Sequence, residues 1–313
     1  MSKRLEYIDV MRGIAILLVI FEHCIGSLND TTARLILSFH MPLFFFISGC
    51  LLKPITGGVI VFFVKKCKAL LLPQITLALL SLFATILFDV LLKKSITIND
   101  VNILKPFGAW FLIALFLMEM IAVPMISIIK NRKVLAGVTL LILGIFSITD
   151  YAGMMFVQQT LAALVFGLLG YLCKPWVGCF NELQSKAKGF GLIVLLIVAL
   201  LSMLNDPIAM YLNIYGIKWL FVITSLFGIY AILDISVSIK NTAFFQYCGR
   251  ESIILYVLQF CVIRIVLAVC TIFIPSFEYY QYPCFIISFL ISMFVLIPMT
   301  WICAKYLKFA FGR

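Results

Sequence analysis

Apolar residues run along the chain in long stretches that do not alternate with polar ones, and charge, Gly, Pro or Asn bounds each stretch. A membrane-spanning strand would show short alternating segments, so these runs predict helices rather than a β-barrel. A bilayer core takes roughly 20 apolar residues per helix, and shorter spans fit inside a bundle. Ten candidate spans follow, at 11–28, 33–52, 69–92, 107–129, 134–149, 154–173, 189–205, 210–233, 252–274 and 283–304. The expected fold class is an all-α membrane protein, a bundle of about ten transmembrane helices. The whole chain, 1–313, reads as a single integral-membrane domain, with no clear repeat and no loop long enough for a soluble domain.

Composition sharpens this picture. Hydrophobic residues make up 64% of the chain and charged residues only 12%, with 29 Phe and a mean hydropathy of +1.18. A soluble globule is nearer half apolar, and disorder needs the opposite balance, so both are excluded. The net charge of +11 would suggest nucleic acid in a soluble protein. Here the cations cluster in alternate short loops, so a positive-inside bias explains them and no nucleic-acid partner is expected. Membrane lipids and a phosphorylated cosubstrate are the partners such charge can meet.

With the N-terminus in the cytoplasm, one side receives Lys3, Arg4, Lys53, Lys65, Lys66, Lys68, Lys130, Arg132, Lys133, Lys174, Lys186, Lys188, Lys240, Arg250, Lys305, Lys308 and Arg313. The other side receives Arg34, Lys93, Lys94, Lys105 and Lys218, together with Asp30, Asp100, Asp150, Asp206 and Glu278. Both termini are therefore expected in the cytoplasm. Lys3 and Arg4 precede an apolar stretch without a small-residue cleavage site, so the first segment is expected to be a retained helix. The ten cysteines are scattered without a CxxC pair, and with two histidines in the chain no metal site is expected.

Ionisable groups in a bilayer are costly and mark function by default. In the first span Asp9, Arg12, Ile16, Val19 and His23 follow one another at spacings of 3, 4, 3 and 4, which forms one helical stripe. Arg12 and His23 lie about three turns, ~16 Å, apart on that face. Asp9 can pair with Arg12, and His23 is suited to moving a proton near neutral pH. The bland alternatives are a snorkelling arginine and a satisfied polar contact. Glu22 adjoins His23 but projects about 100° away, so it is not expected to orient the imidazole.

The second span carries Phe39-His40-Met41-Pro42-Leu43-Phe44-Phe45, ending in Ser48-Gly49. Pro42 frees a carbonyl and can open a cavity beside His40. Lys65-Lys66-Cys67-Lys68, ahead of Pro73, is either a topology signal or a seat for nucleotide phosphates. Glu119 and Arg264 fall mid-span in two later segments, and an interhelical ion pair between them is expected.

In order along the chain, these pieces resemble acyltransferase family 3, polytopic bacterial membrane proteins that O-acylate envelope and exported glycans. Asp9-Val10-Met11-Arg12-Gly13, with His23 following, is similar to that family's Arg-x10-His signature. The His40 segment resembles its second-helix motif, and Lys65-x-x-Lys68 its basic pair. Trp110-Phe111-Leu112 and Gly249-Arg250-Glu251-Ser252-Ile253-Ile254-Leu255-Tyr256 resemble its later motifs. Two departures stand out. Gln259 occupies a position that is histidine in many members, and the basic pair uses lysine, which lacks the bidentate fork of arginine.

The resemblance implies a multi-pass O-acyltransferase of the bacterial inner (cytoplasmic) membrane, without the additional esterase-like SGNH domain of some relatives. It implies acetyl-CoA or another acyl-CoA as cosubstrate, no bound cofactor, and an envelope glycan or lipid-linked saccharide as acceptor. His23 would be the general base or acyl carrier. Asp9 would orient Arg12, Arg12 would guide the pantetheine or acceptor, and His40 would bind the acceptor or tune His23. Lys65 and Lys68 would hold the nucleotide phosphates. The alternatives are a transporter, flippase or export component, and an inactive paralogue acting as a sensor or scaffold.

Overall fold

The computed structural model describes residues 6–91, 110–150, 156–183, 189–239, 242–273 and 282–312, and among these no strand occurs. Lys3, Arg4, Lys93, Lys94, Lys105, Lys186, Lys188, Lys240 and Arg313 lie outside the described residues, as do Asp100 and Glu278. The helices are α1 (Glu6–Ile25), α2 (Thr31–Leu37), α3 (His40–Leu51), α4 (Val59–Lys66), α5 (Leu72–Leu91), α6 (Trp110–Ile128), α7 (Arg132–Ile148), α8 (Val157–Leu183), α9 (Phe190–Met203), α10 (Lys218–Ser238), α11 (Ala243–Arg250), α12 (Ser252–Phe273) and α13 (Tyr282–Tyr306).

Seven helical segments among the described residues are long and apolar enough to cross a membrane: Thr31–Leu51, Val59–Phe83, Trp110–Ile128, Val157–Phe180, Lys218–Ser238, Ser252–Thr271 and Pro283–Tyr306. The protein is thus a membrane protein with transmembrane helices, as its sequence predicts. The other three predicted spans are helical but differ in character. Helix α1 carries Glu6, Asp9, Arg12 and Glu22, and α7 and α9 are only 17 and 14 residues long.

Several elements depart from the sequence expectation, and α8, for one, continues to Leu183, past the predicted end at 173. The predicted span 210–233 starts late, because 204–217 forms a folded loop closed by mutual backbone hydrogen bonds of Ala209 and Ile214. Asn205 holds that loop, accepting from the Ile217 N–H (2.6 Å) and donating to the Tyr215 carbonyl (3.2 Å). The third span begins a full ten residues earlier than predicted, at Val59. It runs through a π-helical turn, Cys67–Leu71, where the Leu72 N–H reaches back to the Cys67 carbonyl. Pro73 follows and has no N–H to close on Ala69 or Lys68, so the wide turn sits where regular bonding must fail. The short helix α11, absent from the predicted spans, caps the bundle beside α1.

Two helix pairs meet backbone to backbone. A Cβ on Gly13 would strike the Phe245 carbonyl, and one on Gly249 would strike the Asp9 carbonyl, so only glycines let α1 and α11 approach this closely. A Cβ on Gly49 would likewise strike Gly167, and one on Gly170 would strike Phe46, where α3 crosses α8. Small residues at crossings are the usual device for close packing in lipid, where hydrophobic driving force between helices is weak. Helix α1 thereby sits at the centre, touching α2, α3, α10, α11, α12 and α13.

Candidate active site

The polar stripe predicted on α1 runs along two cavities placed end to end. Arg12 and Ile16 line a basic cavity of about 570 Å³, while Val19 and His23 line a histidine cavity of about 330 Å³. Three more helices run past both. From α3, His40 and Met41 face the histidine cavity, and Phe44 and Ser48 face the basic one. From α6, Trp110 faces the first and Phe111 the second. From α12, Ser252 and Ile253 face the basic cavity, while Phe260 and Arg264 face the histidine cavity. Both volumes suit small-molecule sites.

The basic cavity collects Arg12, Lys53, Lys65, Lys66 and Arg250 in its wall, with Glu119 as the acid among its lining residues. The Gly13 and Gly249 contacts explain part of this. By letting α1 and α11 touch, they bring the neighbouring Arg12 and Arg250 to the same space. Lys65 is exposed at the mouth. Lys68, predicted to act with it, is exposed but not among the lining residues, because the face turned to the cavity repeats at Val61–Phe62, Lys65–Lys66 and Ala69–Leu70 and leaves Lys68 to one side. Lys66 takes the place beside Lys65 and forms an ion pair with Glu119 at 2.7 Å. The expected Glu119–Arg264 pair does not form: Glu119 faces the basic cavity and Arg264 the other. Similar depth estimated from sequence did not mean the same cavity.

Both histidines face the histidine cavity, which the sequence alone left open. The broken second span places His40. Pro42 lacks the N–H that would bond Ser38, and the Ser225 hydroxyl of α10 donates to that carbonyl instead, at 2.8 Å. The helix breaks at Ser38–Phe39 and restarts at His40. His40 Nδ1 lies 2.8 Å from the Ile36 carbonyl. A proton on Nδ1 satisfies that contact and leaves Nε2 as an acceptor.

Glu22 corrects the sequence expectation. Its Oε2 lies 3.1 Å from His23 Nδ1, although the two are adjacent in sequence. The helix-wheel angle fixes where the Cα–Cβ bonds start, and two long side chains at the end of α1 bridge that difference. Glu22 is itself buried, keeping 10% of its side-chain surface, whereas His23 keeps 31%, open to the cavity. A carboxylate on Nδ1 selects the tautomer whose Nε2 can accept a proton. The ring of Phe260 lies 4.6 Å from the imidazole.

Asp9 is buried and lines neither cavity; its carbonyl lies against Gly249, at the α1–α11 crossing. Gln259 is fully buried on α12, lines neither cavity, and neither of its amide atoms has a hydrogen-bond partner among the described residues. Two further residues were not legible beforehand. Met210 and Tyr211 come from the folded 204–217 loop and line the histidine cavity. Partial burial, and then the Glu22 carboxylate, push the Tyr211 phenol above its ordinary value. Asp234 of α10 is a buried acid with a structural role, accepting the Gly191 N–H at 2.8 Å near the start of α9.

Helices long and apolar enough to span a membrane, with a cationic cavity beside one lined by a carboxylate–histidine pair, define a helical membrane protein with polar cavities inside the bundle. The comparison with known families then identifies it more closely. A family model described as an acyltransferase domain matches residues 5–304, nearly the whole chain, and the chain belongs to acyltransferase family 3. No curated protein and no solved structure matches it.

Proposed function

We propose that the protein is an O-acyltransferase that carries an acyl group, acetyl first among them, from cytoplasmic acyl-CoA to a hydroxyl of a cell-envelope or exported glycan. Its family membership supplies acyl transfer. One observation carries the finer reading: a cationic cavity and a histidine cavity lie back to back along the same four helices. With the positive-inside orientation expected from the loops, the cationic cavity would open to the cytoplasmic side, where CoA is made. Lys65 and Lys66 would meet the nucleotide phosphates, and Arg12 and Arg250 the chain leading inward. The aromatic lining of the other cavity, Trp110 and Tyr211 among it, suits the apolar faces of a sugar ring.

His23, which lines the histidine cavity, would serve as the general base. Its Nε2 takes the proton of the acceptor hydroxyl as that oxygen attacks the thioester carbon. A C–O bond forms, the C–S bond breaks, and the proton passes on to the CoA thiolate. Glu22 stabilises the imidazolium formed meanwhile. Ten spans in the bacterial inner membrane, with both termini in the cytoplasm, belong to the same proposal.

The test is mass spectrometry of envelope glycans from cells carrying wild-type protein, His23→Ala or no protein, at matched membrane levels. We expect an ester-linked acyl mass with wild type and a loss of ~10²–10⁴-fold in the variant, the usual worth of general-base help. An equal acyl mass with both proteins would remove His23 from the chemistry. No acyl difference in any glycan fraction would sink the glycan reading and favour transport or scaffolding.

A further inference from the structure

The partition between the two cavities is aromatic. Among the described residues, Tyr256 is the one that lines both of them. On one side its ring meets Phe111 of the basic cavity, with centroids 5.4 Å apart. On the other it meets Phe260 edge-on at 6.3 Å, and Phe260 in turn lies against His23. Tyr256 is 5% exposed, and its hydroxyl is buried without a hydrogen-bond partner among the described residues.

That orphan hydroxyl is the informative feature. A buried phenol normally finds a partner, and leaving one unmade destabilises the fold. Phenylalanine would fill nearly the same volume without that cost. The residue that carries it lines both ligand-sized cavities, about one helical turn from Phe260 and the imidazole beyond it. A partner that arrives with the ligand accounts for it.

We propose that Tyr256 divides the two cavities and that its hydroxyl donates a hydrogen bond to the acyl carbonyl oxygen when the thioester reaches His23. The proposal rests on the acyl-transfer reading above. As the acceptor oxygen bonds to the carbonyl carbon, the C=O electron pair moves onto the carbonyl oxygen, and the Tyr256 O–H stabilises that oxyanion. Collapse restores C=O and breaks C–S, and the thiolate takes the proton held by His23. The products are the ester and the free CoA thiol, and Tyr256 ends unchanged. Meanwhile the ring keeps water of the histidine cavity away from thioester waiting in the basic one.

Tyr256→Phe and Tyr256→Ala test the two parts separately, with purified protein, acetyl-CoA as the probe, and the glycan ester assay. Tyr256→Phe should bind acetyl-CoA within about threefold of wild type by calorimetry and melt no lower than wild type. It should lower ester formation ~10²-fold, as loss of one oxyanion donor does. A merely structural tyrosine would instead lower the melting temperature. Wild-type ester formation by a normally binding Tyr256→Phe overturns the donor role. Tyr256→Ala should raise acceptor-independent hydrolysis of acetyl-CoA ~10-fold by admitting water, and unchanged hydrolysis overturns the dividing role. If wild type itself fails to bind acetyl-CoA, the acyl-transfer reading falls and takes this proposal with it.

Discussion

Glu22 and His23 show how much a neighbour changes what a side chain can do. Alone, a cavity histidine has two tautomers and no preferred orientation. The carboxylate 3.1 Å from Nδ1 fixes both. Glu22→Gln keeps the shape and removes the charge. A charge-assisted hydrogen bond is worth ~1.5–3 kcal/mol, so Glu22→Gln should slow transfer by ~10–100-fold. Acetyl-CoA binding, measured by calorimetry, should stay unchanged, because the binding cations lie in the other cavity. A parallel loss of binding would show that Glu22 supports the fold rather than the imidazole. Lys65 gives the converse case. It is exposed at the cavity mouth, so Lys65→Ala should weaken acetyl-CoA binding by ~3–10-fold. That difference should shrink in high salt, which screens exposed charges.

At the scale of elements, proline and glycine decide where the polar groups end up. Pro42 creates an orphan carbonyl at Ser38, and Ser225 of α10 satisfies it. Ser225→Ala should therefore cost ~1–3 kcal/mol in thermal or denaturant unfolding, the usual penalty for a buried acceptor left unpaired. In a Pro42→Ala background the restored N–H can reach Ser38, and the same change should cost less than half as much. Additive costs in the double variant would mean that the two groups do not share a partner. Gly249 permits the α1–α11 contact, and a Cβ there meets the Asp9 carbonyl. Gly249→Ala should lower stability by ~1–3 kcal/mol through overpacking. Transfer should fall with it, since Arg12 and Arg250 move apart.

Across the whole molecule, the two cavities and four shared helices make binding at one end felt as stability of the bundle. A ligand that binds only the folded state at 100 times its dissociation constant stabilises it by ~2.7 kcal/mol. Acetyl-CoA should thus raise the melting temperature of the purified protein, and Tyr256→Phe should preserve the rise. An upward shift with CoA alone, equal to that with acetyl-CoA, is also expected, because in the proposed mode the phosphates would meet the cationic wall and the acyl group would not.

Periodicity and hydropathy were sufficient for the membrane class, the helical fold and the α1 stripe from Arg12 to His23, because local spacing fixes which residues share a face. The ordered motifs were sufficient for the family. Sequence could not bring His40 beside His23, since that depends on a helix break closed by Ser225, 187 residues away from Ser38. Nor could it pair Glu119 with Lys66 rather than Arg264. Depth along a helix can be counted, but which side of a partition a side chain faces is set by helix rotation and crossing. The 204–217 loop and Tyr211 escaped for a related reason: hydropathy assigns an apolar run to a span, and the turn that Asn205 and Gly216 (φ +57°) hold here, bringing Met210 and Tyr211 to the cavity, forms only within the fold. Spacing along the chain thus determined the faces and the candidate groups. Only packing, by bringing distant backbones into contact, decided which of those groups meet.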